Sequence, residues 1–259
     1  MTSSGLVEVR REGSTAVVVL RREEKLNAIS TAVERELAAA LEAEEVRESS
    51  CVVVTGAGRA FSSGADVTEF REKDAAAVLA YYRETGYVYE QVAALPQPTV
   101  SAIAGYCLGG GLELALATDF RVADETAVFG LPEVELGILP SSGGTLRLVR
   151  LVGPARAKEL ILLCPRIDAS QALALGLVNE VVPAGKALER ALELAERLAA
   201  LPPLAVALAK QAVDVMAESS STAGILIERL AYGMLAQTAD AAEAAKAFTE
   251  KREPRFRGR

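Results

Sequence analysis

The chain has 259 residues, with 28 Lys and Arg against 35 Asp and Glu, a formal charge of −7 and no histidine. That balance argues against non-specific nucleic-acid binding, which needs a cationic face. The missing imidazole excludes Ser-His-Asp and Cys-His catalysis and zinc sites with histidine ligands, so acid–base work falls to Asp, Glu, Lys, Tyr, Cys or ordered water.

Residues 6–10 ("LVEVR") and the apolar run 15–20 predict a hairpin around "REGS". "STAVERELAAALEAEEV" reads as an amphipathic helix with Ser30 or Thr31 at its N-cap. "CVVVTG" (51–56) is short, apolar and β-branched, the pattern of a strand buried on both faces. A Gly-rich loop follows, then a long helical stretch to about Ala94. "TVSAIAG" (99–105) predicts a second buried strand leading straight into glycines. "DFRVADETAVFG" predicts two more short strands, and "LPEVELG" a helical turn after Pro132. From about Gly143 the pattern is mostly helical, with "LVNEVVP" as a late extended segment. Strands alternating with helices predict an α/β core over residues 1–200, and residues 201–259 an all-helical C-terminal region for packing and oligomerisation.

The hydrophobic content of 51% suits a compact protein, and no apolar run reaches the roughly 18 residues of a membrane span. "MTSSGLVEVRREG" lacks the basic start and apolar stretch of a secretory signal, so a cytoplasmic location is expected. Cys51, Cys107 and Cys164 form no CxxC pair, which argues against a disulfide framework or a thiolate metal site.

The candidate chemistry gathers around "GYCLGGGLELALATD" (105–119). Glycines that open a helix present unshielded N–H groups and a dipole that favours negative charge; close strand–helix packing is the alternative use of them. A second loop of small residues, "GRAFSSGADVTEF" (58–70), also follows a buried strand. One N–H from each loop, at Ala65 and Gly110, makes a candidate oxyanion hole. Glu113 lies one helical turn beyond Gly110 among apolar residues that should raise its pKa; a structural pair with Arg121 is the alternative. Glu133 opens the turn before "PSSGG", and Glu135, two residues on, should point the other way. Asp66 at a helix start has capping as its ordinary role.

These motifs, with "EKLNAIS" (24–30), "FGLPEVELGILPSSGGTLRL" (129–148), "ASQALALGLVNEVVP" (169–183) and "FTEKREPRF" (248–256), resemble those of the crotonase, or enoyl-CoA hydratase/isomerase, superfamily over nearly the whole chain. The resemblance implies a spiral of ββα units with a C-terminal helical region, commonly a homotrimer or homohexamer. It implies acyl-CoA thioester substrates and no metal or redox cofactor, coenzyme A being part of the substrate. Ala65 and Gly110 match the family's oxyanion-hole donors, and Glu113 and Glu133 the glutamate pair of its hydratase branch. Lys25, Leu26 and Ala28 match the stretch bordering the CoA nucleotide, and Ser63, Asp66 and Val67 would lie along the CoA arm. Ser141 stands where typical hydratases have Gly. The expected reaction is syn addition of water to a 2-enoyl-CoA. The rival expectations are a Δ3,Δ2-enoyl-CoA isomerase, another acyl-CoA lyase or hydrolase, and a non-catalytic CoA-binding subunit.

Overall fold

The computed structural model describes residues 5–69, 74–84 and 86–258. A hairpin opens the chain: β1 (Val7–Glu12) and β2 (Thr15–Leu20) pair antiparallel around Gly13 and Ser14. Helix α1 (Thr31–Leu41) begins where the Ser30 hydroxyl accepts the Val33 N–H, and the short α2 (Glu44–Arg47) follows.

Three β–β–α units come next. The first is β3 (Cys51–Gly56) and β4 (Ala60–Ser62) with helices α3 (Ala75–Glu84) and α4 (Val88–Ala93). The second is β5 (Thr99–Ile103), β6 (Tyr106–Leu108) and α5 (Gly110–Leu116). The third is β7 (Phe120–Asp124), β8 (Val128–Gly130) and α6 (Gly144–Leu162), the last broken at Gly153 just before Pro154. Then come β9 (Ile167–Asp168), α7 (Ala169–Ala174), β10 (Glu180–Val182) and α8 (Ala187–Ala199). Helices α9 (Pro203–Met216), α10 (Ser221–Leu235) and α11 (Ala239–Glu250) form the C-terminal region.

Each unit contributes one strand to each of two sheets. The larger has the order β1-β2-β3-β5-β7-β10, parallel from β2 onward; the smaller has β4-β6-β8-β9, with only β9 antiparallel. The large sheet is covered on both faces, which explains its unbroken apolar runs. Along β2, Val17 and Val19 pack with Val53, Val100, Val122 and the alanines 187, 191 and 195 of α8. Ala16, Val18 and Leu20 enter the main core on the other side. Burying one such valine is worth about 1.5–3 kcal/mol. Among the described residues no single helix is long and apolar enough to cross a membrane.

Two expectations are corrected here. The strand predicted to run straight into the glycines ends at Ile103, and the separate strand β6 delivers the chain to α5. Strands of three residues such as β4 and β6 carry too little periodicity to be seen; pairing with each other and with β8 makes them strands. The long helical stretch ending near Ala94 is two helices, with Gly86 between them; its residues 70–73 and 85 lie outside the described residues. The C-terminal helices are tied to the core by Lys210, whose ammonium meets Asp119 Oδ2 at 2.8 Å and the Gln97 carbonyl at 3.1 Å.

Candidate active site

The two glycine loops meet where β4 and β6, neighbours in the small sheet, end side by side. Ala65 forms an isolated bridge with Ile29: the Ile29 N–H donates to Gly64 O and the Asp66 N–H to Ile29 O, both at 2.8 Å. These bonds use the groups on either side of the Ala65 N–H and turn it the other way. Gly110 is the first residue of α5, where an N–H has no acceptor within the helix. A β-carbon on Gly110 would stand 3.3 Å from the Ala65 nitrogen and 3.3 Å from the Tyr89 hydroxyl. The two N–H groups therefore lie close together, and a side chain at residue 110 would crowd both Ala65 and Tyr89.

Glu113, one turn further along α5, is buried. Its Oε1 accepts the N–H groups of Ser142 at 2.7 Å and Gly144 at 2.9 Å, so it sits at the N-terminus of α6. Arg121, the alternative partner, donates instead to the carbonyls of Leu177, Ala115 and Thr118. Burial raises the Glu113 pKa, opposed by the Gly144 and Ser142 N–H groups and by the charge of Arg147. Gly144 has to lack a side chain: a β-carbon there would lie 2.6 Å from Glu113 Cγ and Oε1.

Glu133 is buried and Glu135 exposed, as a two-residue step on a helical turn requires. The Oε1 of Glu133 comes within 2.8 Å of the position a Gly109 β-carbon would occupy, which places it at the mouth of the glycine loop. Its Oε2 is buried and finds no hydrogen-bond partner among the described residues. Burial pushes its pKa up to about 7; the Glu113 charge adds to the rise, while its own N–H and Arg166 oppose it. A carboxyl with that pKa and an unused buried oxygen is equipped to exchange a proton near neutrality.

The other predicted positions form a second cluster. The Ser63 N–H donates to Leu26 O at 2.9 Å and the Ser63 hydroxyl to Lys25 O at 3.3 Å, joining segments 25–28 and 63–67. Arg22 Nη1 bridges Ala28 O at 3.1 Å and Asp66 Oδ2 at 2.8 Å. Asp66 Oδ1 accepts the Thr68 N–H and hydroxyl, so its side chain is engaged in local structure, and Val67 is exposed. Ser141 is exposed, and its hydroxyl shares a hydrogen bond with Tyr82.

Sequence reasoning overlooked the tyrosines. Tyr81 donates to Glu34 of α1, and the buried Tyr89 is hydrogen-bonded to Ser142, the residue whose N–H holds Glu113. A signal was present: four of the six tyrosines fall within "YYRETGYVY" (81–89).

Two adjacent main-chain N–H groups beside two buried glutamates can polarise a carbonyl oxygen and exchange protons next to it. The chain belongs to the enoyl-CoA hydratase/isomerase family, whose model matches residues 10–259. It is 42% identical over 252 residues to the 2,3-dehydroadipyl-CoA hydratase of Escherichia coli K12, covering 97% of this chain and 98% of that one. It is 38% identical to the short-chain-enoyl-CoA hydratase of Clostridium acetobutylicum, with 95% of each chain covered. Among solved structures, an enoyl-CoA hydratase from Bacillus anthracis superposes with a TM-score of 0.93 at 40% identity, over 98% of this chain and all of that one.

Proposed function

We propose that this protein is an enoyl-CoA hydratase that adds water syn across the C2=C3 bond of a 2-enoyl-CoA thioester to give a 3-hydroxyacyl-CoA. The observation that carries the reading is the pair of buried, electrostatically coupled carboxyls, Glu113 and Glu133, beside the converging N–H groups of Ala65 and Gly110. The thioester oxygen accepts hydrogen bonds from both donors. As an enolate develops, each donor contributes roughly 3–4 kcal/mol to the transition state, by analogy with other oxyanion holes. Glu113, oriented through Oε1 by Ser142 and Gly144, uses its second oxygen to hold the attacking water and take its proton. Glu133, protonated up to about pH 7, delivers a proton to C2. The two acids hold one proton between them, because like charges at close quarters resist ionising together. The reaction is redox-neutral, and its hydroxide and protons come from water and the two carboxyls, so the mechanism calls on no cofactor.

Segments 25–28 and 63–67 border the CoA moiety in this reading; what supports it is that they lie against one another beside the Ala65 donor. Assembly as a homotrimer or homohexamer belongs to the same proposal. Its support is the exposed apolar side chains of α9 and α10, among them Val213, Leu226, Leu230, Tyr232 and Met234. The experiment is to prepare Glu113→Gln and Glu133→Gln and follow the loss of crotonyl-CoA absorbance. Each should lose at least about 100-fold in kcat, within the range of a general acid or base contribution; parent rates in both sink the two-carboxyl mechanism. Conversion of a 3-enoyl-CoA without hydration of the 2-enoyl isomer identifies an isomerase instead.

A further inference from the structure

The relatives' names specify different acyl groups, so the acyl preference of this chain has to be read from its own side chains. The loop that holds Glu113 through the Ser142 N–H is bonded at the neighbouring Ser141 to α3, and the Tyr89 hydroxyl of α4 lies against Gly110, so α3 and α4 face the catalytic end of the site. Three phenols stand there. Burial and then the carboxylates of Glu34 and Glu113 hold Tyr81 and Tyr89 above the ordinary tyrosine range, and both carboxylates act on Tyr82 as well. Tyr82 through Ser141 and Tyr89 through Ser142 both stand against the loop whose Ser142 N–H holds Glu113. Tyr89 closes one side, its hydroxyl against Gly110 and bonded to Ser142.

Helix α3 is fastened at two consecutive residues pointing to two different partners. Tyr81 donates to Glu34, buried on α1, and Tyr82 shares a hydrogen bond with Ser141, in the loop that opens α6. The rings meet edge to face, with centroids 4.9 Å apart. Pinned at both places, α3 cannot swing outward without giving up one of these bonds. The Tyr82–Ser141 bond joins segments 59 residues apart and exists only because position 141 carries a hydroxyl.

We infer that Tyr82 and Ser141 together form the end wall of the acyl site and restrict it to 2-enoyl-CoA substrates with short acyl chains. The inference rests on the hydratase reading and names the substrate class of that same site. Tyr82 and Ser141 act as specificity-determining residues, each through the other, and neither takes part in proton transfer.

The test measures kcat/KM for hydration of a four-carbon, a six-carbon and a ten-carbon 2-enoyl-CoA by the full chain. The parent should favour the four-carbon over the ten-carbon substrate by about 10-fold or more, the discrimination a shaped apolar pocket achieves. Tyr82→Phe, which removes only the hydroxyl, and Ser141→Gly should each raise the ten-carbon to four-carbon ratio severalfold. Because both break the same bond, the double variant should show little beyond either single one. Tyr82→Ala should open the site further. A parent that prefers the ten-carbon substrate overturns the inference. So does a ratio unmoved by Tyr82→Phe and Tyr82→Ala in variants whose circular dichroism matches the parent. Failure of the parent to hydrate any of the three defeats the hydratase reading itself, a separate result.

Discussion

Gly144→Ala separates a helix-propensity view of this protein from a geometric one. Residue 144 is the first of α6 and does not have a positive φ, so alanine fits its backbone, and propensity alone predicts a gain of up to about 1 kcal/mol. The geometry predicts a loss. The new methyl would sit 2.6 Å from Glu113 Cγ and Oε1, closer than any tolerable contact. Glu113 is buried, so relieving the clash requires its carboxylate to rotate off the two N–H groups that it now accepts at 2.7 and 2.9 Å. Hydrogen bonds to a charged group contribute about 1.5–3 kcal/mol each. Losing both against the propensity gain leaves a net cost of about 2–5 kcal/mol, shared between stability and positioning of the base. At about 1.4 kcal/mol per decade, a catalytic share of half lowers kcat by roughly 5- to 60-fold. The assay is crotonyl-CoA hydration alongside urea denaturation. A variant as active as the parent and more stable than it would refute the claim that Gly144 exists to seat Glu113.

Three further outcomes follow from the carboxyl pair. In the parent, the logarithm of kcat/KM should fall as pH rises through about 7, because Glu133 must be protonated to deliver its proton; a profile flat from pH 6 to 9 contradicts that role. Glu113→Gln removes a like charge, so the Glu133 carboxyl followed by carbon-13 NMR should titrate at lower pH than in the parent. It should still stay above 4.5, because burial is the larger cause; an unchanged or higher midpoint refutes the coupling. Folding stability should respond with a definite sign. The folded protein holds the Glu133 proton more tightly than the open chain does, so this stabilisation is complete below about 4.5 and disappears as pH rises through about 7. The gap corresponds to at most about 3 kcal/mol, reduced by residual solvent screening. Glu133→Gln should therefore match the parent at pH 4 and exceed it by roughly 1–3 kcal/mol at pH 8, read from denaturant midpoints.

The sequence by itself determined the parts whose physics is local. β-Branched runs such as "CVVVTG" marked strands covered on both faces, Ser30 marked a helix start, and the glycines before Glu113 marked a helix N-terminus free to receive negative charge. The absence of histidine left acid–base work to Asp, Glu, Lys, Tyr, Cys or ordered water, and helical spacing set Glu133 and Glu135 on opposite sides of their turn. What only the tertiary structure decided is which groups meet. Strands β4 and β6 exist through pairing across 45 residues and carry no signature of their own, yet their adjacency is what brings Ala65 beside Gly110. Glu113 finds Ser142 and Gly144 rather than Arg121, because the packing of α6 on α5 puts a helix end in reach while Arg121 is occupied by carbonyls. The tyrosine hydroxyls take their partners from α1 and from the loop before α6, segments that become neighbours only once the chain has closed. Propensity and periodicity act over one or two turns of chain, whereas a catalytic constellation depends on separations of a few ångströms between residues far apart in sequence.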